Sequence, residues 1–270
     1  MMTLIQGVAA MRWAFPCHFV LLCFPLVAGP ARAEPVPLSL EAEFGPVWQA
    51  RNKVQIPNDA AGDRFALTDI AGSGPWTSAR INANWRIAGP HELRVVVAPL
   101  SWDERGTFDE DIRFRGETFT ANGRVKAEYK FNSWRLGYRY RYHDAGAWRL
   151  WVGATAKLRD AKVELTQGAV SAEDDDLGFV PLLHLAGEYQ LGGKWALQFD
   201  FDGLAGGPGR AIDLGLKLSY RLNDRWRVSA GYRGLEGGVD SDDVYNFAWF
   251  NTALVAVEYR PFGNSNEILR

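Results

Sequence analysis

The stretch Trp148-Arg149-Leu150-Trp151-Val152-Gly153-Ala154-Thr155-Ala156-Lys157-Leu158-Arg159 sorts its side chains by parity. Even positions carry Trp, Leu, Val, Ala, Ala and Leu, while odd positions carry Arg, Trp, Gly, Thr, Lys and Arg. A period of two is the signature of a strand with two unlike faces. The split recurs after Trp195, where Leu197, Phe199 and Phe201 oppose Gln198, Asp200 and Asp202. It recurs again after Trp226, where Val228, Ala230 and Tyr232 oppose Arg227, Ser229 and Arg233. Each of these tryptophans follows a short polar turn, at residues 144–147, 191–194 and 223–225. Trp148, Trp195 and Trp226 at one end of three strands predict an aromatic girdle at a membrane interface, with the apolar parity toward lipid.

The N-terminus supports a membrane destination independently. Arg12, an apolar run from Phe15 to Ala28 and the small-residue site Ala31-Arg32-Ala33 read as a cleaved secretory signal over residues 1–33, with Met11 as an alternative start. That run is short for a spanning helix, and no other stretch approaches the roughly 20 apolar residues a helix needs. Cys17 and Cys23, both inside the signal, are the chain's two cysteines, so the mature protein has neither disulfide nor thiol chemistry. Removing Arg12 and Arg32 from the 30 basic residues leaves 28 against 32 acidic ones, a near balance that argues against a nucleic-acid partner.

Ten strand segments follow: about Pro37 to Ala50, Trp76 to Ile87, Glu92 to Ser101, Val125 to Tyr142, Trp148 to Leu165, Leu177 to Gln190, Trp195 to Leu204, Ala211 to Leu222, Trp226 to Leu235 and Phe247 to Arg260. The fourth changes phase: Val125, Ala127, Tyr129 and Phe131 have odd parity, Trp134, Leu136, Tyr138, Tyr140 and Tyr142 even, so a β-bulge is expected near Asn132-Ser133. Turns after the second, fourth, sixth and eighth strands are short, whereas the connections after the first, third, fifth and ninth are expected to be long polar loops. Residues 205–210, after the seventh, are a short exception. An even strand count with short turns on one side fits an all-β, antiparallel transmembrane β-barrel, whose short turns face the periplasm. Ten strands span residues 34–262, eight being the alternative if two weak segments lie in loops, and residues 263–270 form a short polar tail.

From Glu34 to Phe262 the chain resembles the small outer-membrane β-barrels of Gram-negative bacteria, which include eight-stranded anchors and ten-stranded barrels. The resemblance rests on the strand pattern, the signal and the ending Tyr259-Arg260-Pro261-Phe262, similar to the terminal aromatic of such proteins. It implies outer-membrane location, with membrane lipid and lipopolysaccharide as partners. Gly263 to Arg270 continue beyond the terminal aromatic, a departure from that pattern.

For function, three classes compete. Omptin-type proteases resemble the chain in strand number and would use an Asp-x-Asp pair with an Asp-x-His pair. Asp200 and Asp202 match the first, and no Asp-x-His occurs. Barrel-type lipid A deacylases would need a His-x-Ser, also missing. The expectation is therefore no catalysis and no cofactor. A solute pathway is the second class. Inward-parity Arg80, Arg86, Arg94, Arg135, Arg139, Arg141, Arg149, Lys157 and Arg159 face Glu41, Glu43, Glu188, Asp200, Asp202, Asp213 and Glu258 from the other wall, with Lys217, Arg221, Arg227 and Arg233 interspersed. Such walls either orient a small polar or charged solute in a narrow pore or neutralise one another in a lumen little wider than the filled eight-stranded kind. The salt-bridged plug is the stronger expectation, with Arg135, Arg139 and Arg141 held by carboxylates such as Glu188, Asp200 and Asp213. The third class is a binding or structural surface protein. Acidic clusters at Asp109-Glu110-Asp111, Glu173 to Asp176, and Asp240 with Asp242-Asp243 offer oxygen ligands suited to divalent cations, although solvation of loop tips explains them more simply. The apolar segment Arg64 to Ile70 is expected to fold over the mouth as a lid. Trp151, His184 and Phe250 should fill the interior. The reading that results is a non-catalytic surface, structural or binding barrel, with a narrow pore as the alternative.

Overall fold

The structure is a computed structural model, and it describes residues 38–207 and 209–261. The signal, Phe262 and the tail over 263–270 lie outside the described residues. The strands are β1 (Leu38–Gln55), β2 (Phe65–Ala66), β3 (Trp76–Ala88), β4 (His91–Ala98), β5 (Ser101–Gly106), β6 (Ile112–Phe114), β7 (Glu117–Phe119), β8 (Val125–Ala145), β9 (Trp148–Gln167), β10 (Val170–Gly192), β11 (Trp195–Gly206), β12 (Gly209–Arg221), β13 (Trp226–Asp240) and β14 (Tyr245–Tyr259), with one helix, α1 (Leu67–Ala71). Antiparallel pairing runs β14-β13-β12-β11-β10-β9-β8-β4-β3-β1, and β1 returns to β14 from Leu40↔Tyr259 to Gln55↔Tyr245. The wall is thus closed. Segments β4 and β5 both pair with β8 and act as one wall strand broken at Pro99-Leu100, so the barrel counts ten.

Closure pairs β3, β4 and the other membrane-level strands on both sides, which is what a lipid-embedded sheet requires, while β5 pairs with β8 alone. At one end the hairpin turns are short, and Gly146 (φ 60°) and Gly193 (φ 58°) sit in the left-handed conformation that tight turns favour. In outer-membrane barrels the short turns lie at the periplasmic end. Trp148, Trp195 and Trp226 stand on the outer face here, each packed against its cross-strand tyrosine: Tyr189 at 4.7 Å, Tyr220 at 4.7 Å and Tyr259 at 4.6 Å between ring centroids. Above them the outward side chains are Leu136, Val152, Leu183, Leu185, Leu216, Leu218, Val255 and Val257, all exposed and all apolar.

A transmembrane strand needs about 9–11 residues, yet β9 has 20 and β10 has 23. The surplus projects from the membrane on the long-loop side, and there the wall changes sides. On β8, Lys126, Glu128, Lys130 and Asn132 point outward while Val125, Ala127, Tyr129 and Phe131 are buried inside; lower down, Leu136, Tyr138 and Tyr140 point outward while Arg135 is buried. Side-chain parity never slips between them, because Phe131↔Ala161, Asn132↔Asp160 and Ser133↔Arg159 pair in unbroken register. The bulge expected near Asn132-Ser133 is therefore absent. The apparent phase change is a change of solvent around a regular strand: lipid outside below, water outside above. Register shifts occur elsewhere, at Gln49/Arg51 in β1, Arg86/Ala88 in β3, Arg141/His143 in β8 and Gln190/Gly192 in β10.

The same inversion corrects the loops expected after the fifth and ninth segments. Their polar residues are strand: β9 and β10 meet across residues 168–169, and β13 and β14 across 241–244. Glu173 to Asp176 belong to β10 and are not a loop tip. The connection from β1 to β3 and that from β5 to β8 remain long, and both fold inward.

Candidate functional site

Three zones fill the barrel from the long-loop end to the short-turn end. The first is an apolar plug. Phe65, Leu67 and Ile70 from the β1–β3 connection pack with Phe108, Ile112, Phe114 and Phe119 from the β5–β8 connection, and with Val125, Ala127, Tyr129, Val163, Leu165 and Phe250 from the wall. Phe114, Phe119 and Leu165 are 0% exposed and Phe250 is 1% exposed. Phe65 meets Phe108 and Phe114 edge to face at 5.4 and 5.7 Å, and Trp76, Trp102 and Tyr129 stack in series. The segment 64–70 lies over the mouth as α1 and its flanks. Over it, Arg113 donates to Asp63 from Nε at 3.0 Å and Nη2 at 2.6 Å, which holds that carboxyl below its ordinary range. The β6–β7 hairpin was missed in the sequence, although Ile112 and Phe114 alternate with Arg113 ahead of Arg115-Gly116, two positive-φ residues at the turn.

The second zone is a salt-bridged layer at mid-barrel. Asp213 accepts from three guanidiniums, Arg80 at 3.0 Å, Arg135 at 2.5 Å and Arg233 at 2.5 Å. Asp202 accepts from Arg94 and Arg135, both at 2.7 Å, from His184 Nδ1 at 2.8 Å and from the Thr155 hydroxyl at 2.9 Å. Asp200 pairs with Arg233 at 3.0 Å and Arg94 at 3.5 Å. Glu43 takes Arg233 and Lys217 at 3.0 Å each, and Lys217 reaches Glu41 at 2.6 Å. Arg80, Arg94, Arg135, Lys217 and Arg233 thus meet Glu41, Glu43, Asp200, Asp202 and Asp213, five cations against five carboxylates. Arg94, Arg135 and Arg80 reach partners far around the wall, so the two charged walls expected from the sequence do not stand apart; they interlock across a narrow lumen. Lys157 is buried above this layer with Nζ 4.7 Å from the Phe131 ring. A cavity of about 40 Å³ between plug and layer is lined by Phe131, Leu235 and Phe250 on one side and Arg80, Arg135 and Asp213 on the other.

The third zone is a vestibule of about 160 Å³ at the short-turn end. Glu188 accepts from Arg227 at 2.5 Å and Arg149 at 3.4 Å, Glu258 from Arg260 at 2.9 Å, and Glu92 from Arg139 at 2.7 Å. Of the residues expected to form one lumen network, Arg135, Asp200, Asp202, Asp213 and Lys217 come together in the middle layer. Arg139, Arg141 and Glu188 do not join it. Arg139 pairs with Glu92 and lies 4.9 Å from the Trp151 ring, while Arg141 is 2.9 Å from Asp144. Glu92 went unrecognised although it shares the inward parity of Arg94 two residues later. The acidic clusters have protein partners: Asp111 accepts from the Ala121 amide, Asp174 lies 3.5 Å from Arg115 with its carboxyl pushed up by burial, and Asp176 accepts from Arg159. Among the described residues, no group of three or more His, Cys, Asp or Glu side chains is placed to hold a metal ion.

No family model matches the chain, and no curated protein does. Solved structures do. The outer membrane protease OmpT from Escherichia coli superposes with a TM-score of 0.55 at 9% identity, covering 83% of this chain and 96% of that one. Neisserial surface protein A has a TM-score of 0.34 at 15% identity over 83% of this chain and 96% of that one. The outer membrane protein AlkL in DMPC lipid bilayers has 0.40 at 14% identity, over 88% and 96%. The chain thus has the fold of the outer-membrane β-barrels of Gram-negative bacteria, a closed antiparallel wall of ten strands.

Proposed function

We propose that this barrel is a closed, non-catalytic surface protein that presents its projecting outer half as a structural or binding rim. The observation that carries this reading is the double seal: an apolar plug stacked on a charge-balanced, hydrogen-bonded layer. OmpT is a protease, and half of the omptin-type arrangement exists here as Asp200 and Asp202. Both, however, are engaged by Arg94, Arg135 and Arg233 inside the lumen beneath the plug, which supports a role in closure over one at the mouth. Lys130 and Lys162 stand on the outer wall next to the upper limit of the apolar belt, where lipopolysaccharide phosphates would meet them. Lys130 is bonded to Asp160 at 2.6 Å, and Lys162 to Glu164 at 2.5 Å and Glu128 at 3.1 Å.

Planar-bilayer recording tests this reading against the narrow pore. The purified, refolded barrel is expected to be silent under applied voltage. Steady, ion-selective steps from the intact protein would refute closure.

A further inference from the structure

The vestibule carries a charge imbalance that the middle layer does not. Arg86, Arg139 and Arg149 line it from β3, β8 and β9, Arg141 stands beside them on β8, and the four share Glu92, Asp144 and, through Arg149 at 3.4 Å, Glu188. Glu92 is bonded to Arg139 through Nε at 2.8 Å and Nη2 at 2.7 Å, and accepts the Trp151 indole N–H at 3.2 Å. Arg86 reaches the same carboxylate only at 3.9 Å, and its buried Nε has no hydrogen-bond partner. Asp144 is divided between Arg141 at 2.9 Å and Arg149 at 3.2 Å. Glu188, the next acid, is bonded most closely to Arg227. With Arg227 and Arg260, held by Glu188 and Glu258, six guanidiniums meet four carboxylates, which leaves an excess of two positive charges. Like charges gathered in a partly desolvated cleft repel one another unless an anion joins them.

We propose that the vestibule binds a phosphate group presented from the periplasmic side, held by Arg86, Arg141 and Arg149. Guanidinium forks match the geometry of phosphate oxygens, and near neutral pH a phosphate monoester, at about 1.5–2 negative charges, offsets the excess fully, a singly charged diester headgroup in part. Glu92 and Asp144 position the arginines, and Trp151 closes one side. The donor is either a soluble phosphate ester or the headgroup of an anionic phospholipid at the inner leaflet.

Calorimetry of the refolded barrel in zwitterionic nanodiscs, titrated with inorganic phosphate at an ionic strength held constant with chloride, tests the site. Saturable one-site binding is expected. The double variant R86Q/R141Q should weaken it about tenfold or more, the scale of a lost charge-assisted hydrogen bond. The single variant R86Q, which removes a group with one distant acid contact, should weaken it as well and serves if the double variant does not refold. Nanodiscs containing phosphatidylglycerol should suppress the phosphate signal if the headgroup is the donor and leave it intact if the donor is soluble. No saturable heat beyond the chloride control, or unchanged affinity in a folded R86Q barrel, would overturn the site.

Discussion

Asp213→Ala is expected to lower the unfolding midpoint of the barrel in denaturant by the equivalent of about 3–5 kcal/mol, the usual cost of breaking a well-buried ion cluster from one side. Asp213 is 2% exposed and is the shared acceptor of Arg80, Arg135 and Arg233. Arg135 keeps Asp202, and Arg233 keeps Asp200 and Glu43. Arg80 keeps only the Asn82 side chain at 3.2 Å, and its Nη2 is already without a partner. Truncation therefore strands a guanidinium that water cannot easily reach. Arg139→Ala is the internal comparison. It removes a half-buried cation whose partner Glu92, itself buried, keeps the Trp151 indole at 3.2 Å and Arg86 at 3.9 Å, so the loss should be clearly smaller. Comparable losses at the two sites would mean that the middle layer is as hydrated as the vestibule.

The second large effect is expected in the plug. Phe250→Ala should cost about 3–5 kcal/mol, the range for emptying a buried aromatic site, because Phe250 bridges the aromatic stack at Tyr129, 5.7 Å away, and the roof of the 40 Å³ cavity. Enlarging that cavity removes apolar contacts and leaves the ionic layer beneath intact. The variant should thus unfold earlier while staying silent in a planar bilayer. A stability unchanged from the parent would show that the plug is loosely packed. Conductance appearing in this variant alone would show that the plug is the sole seal.

The membrane half of the barrel was legible because one rule governs it: apolar parity outward, polar parity inward. Trp148, Trp195 and Trp226 mark where that rule begins, and the sequence places ten wall strands close to where the structure has them. The rule fails where strands leave the lipid. Glu173 to Asp176 read as a polar loop, yet they stand on β10 opposite residues 161–164 of β9, at a height where Val163 and Leu165 point inward, opposite to Leu158 lower on the same strand. A reversal of solvent, unaccompanied by any reversal of backbone, leaves no local mark except the one misread as a bulge at Asn132-Ser133. The lumen was legible by sign and not by partner. Parity identified Arg94, Arg233 and Asp213 as inward, but which cation meets which carboxylate depends on shear and on lumen width, and neither is encoded in a single strand. The plug escaped for a third reason: Phe108, Phe114 and Phe119 lie in a long connection with too few residues per element to show a period.

Spin labels on the outer face read directly the level at which the wall exchanges sides. Cysteines introduced singly at Lys130 and Lys162 above that level, and at Leu136, Leu158 and Leu216 below it, carry a nitroxide in the refolded barrel in lipid vesicles. Collision with a water-soluble nickel chelate should dominate at Lys130 and Lys162, and collision with oxygen dissolved in the bilayer should dominate at Leu136, Leu158 and Leu216. Oxygen-dominated labels at Lys130 and Lys162, or chelate-dominated labels at Leu136 and Leu216, would contradict the two-solvent barrel.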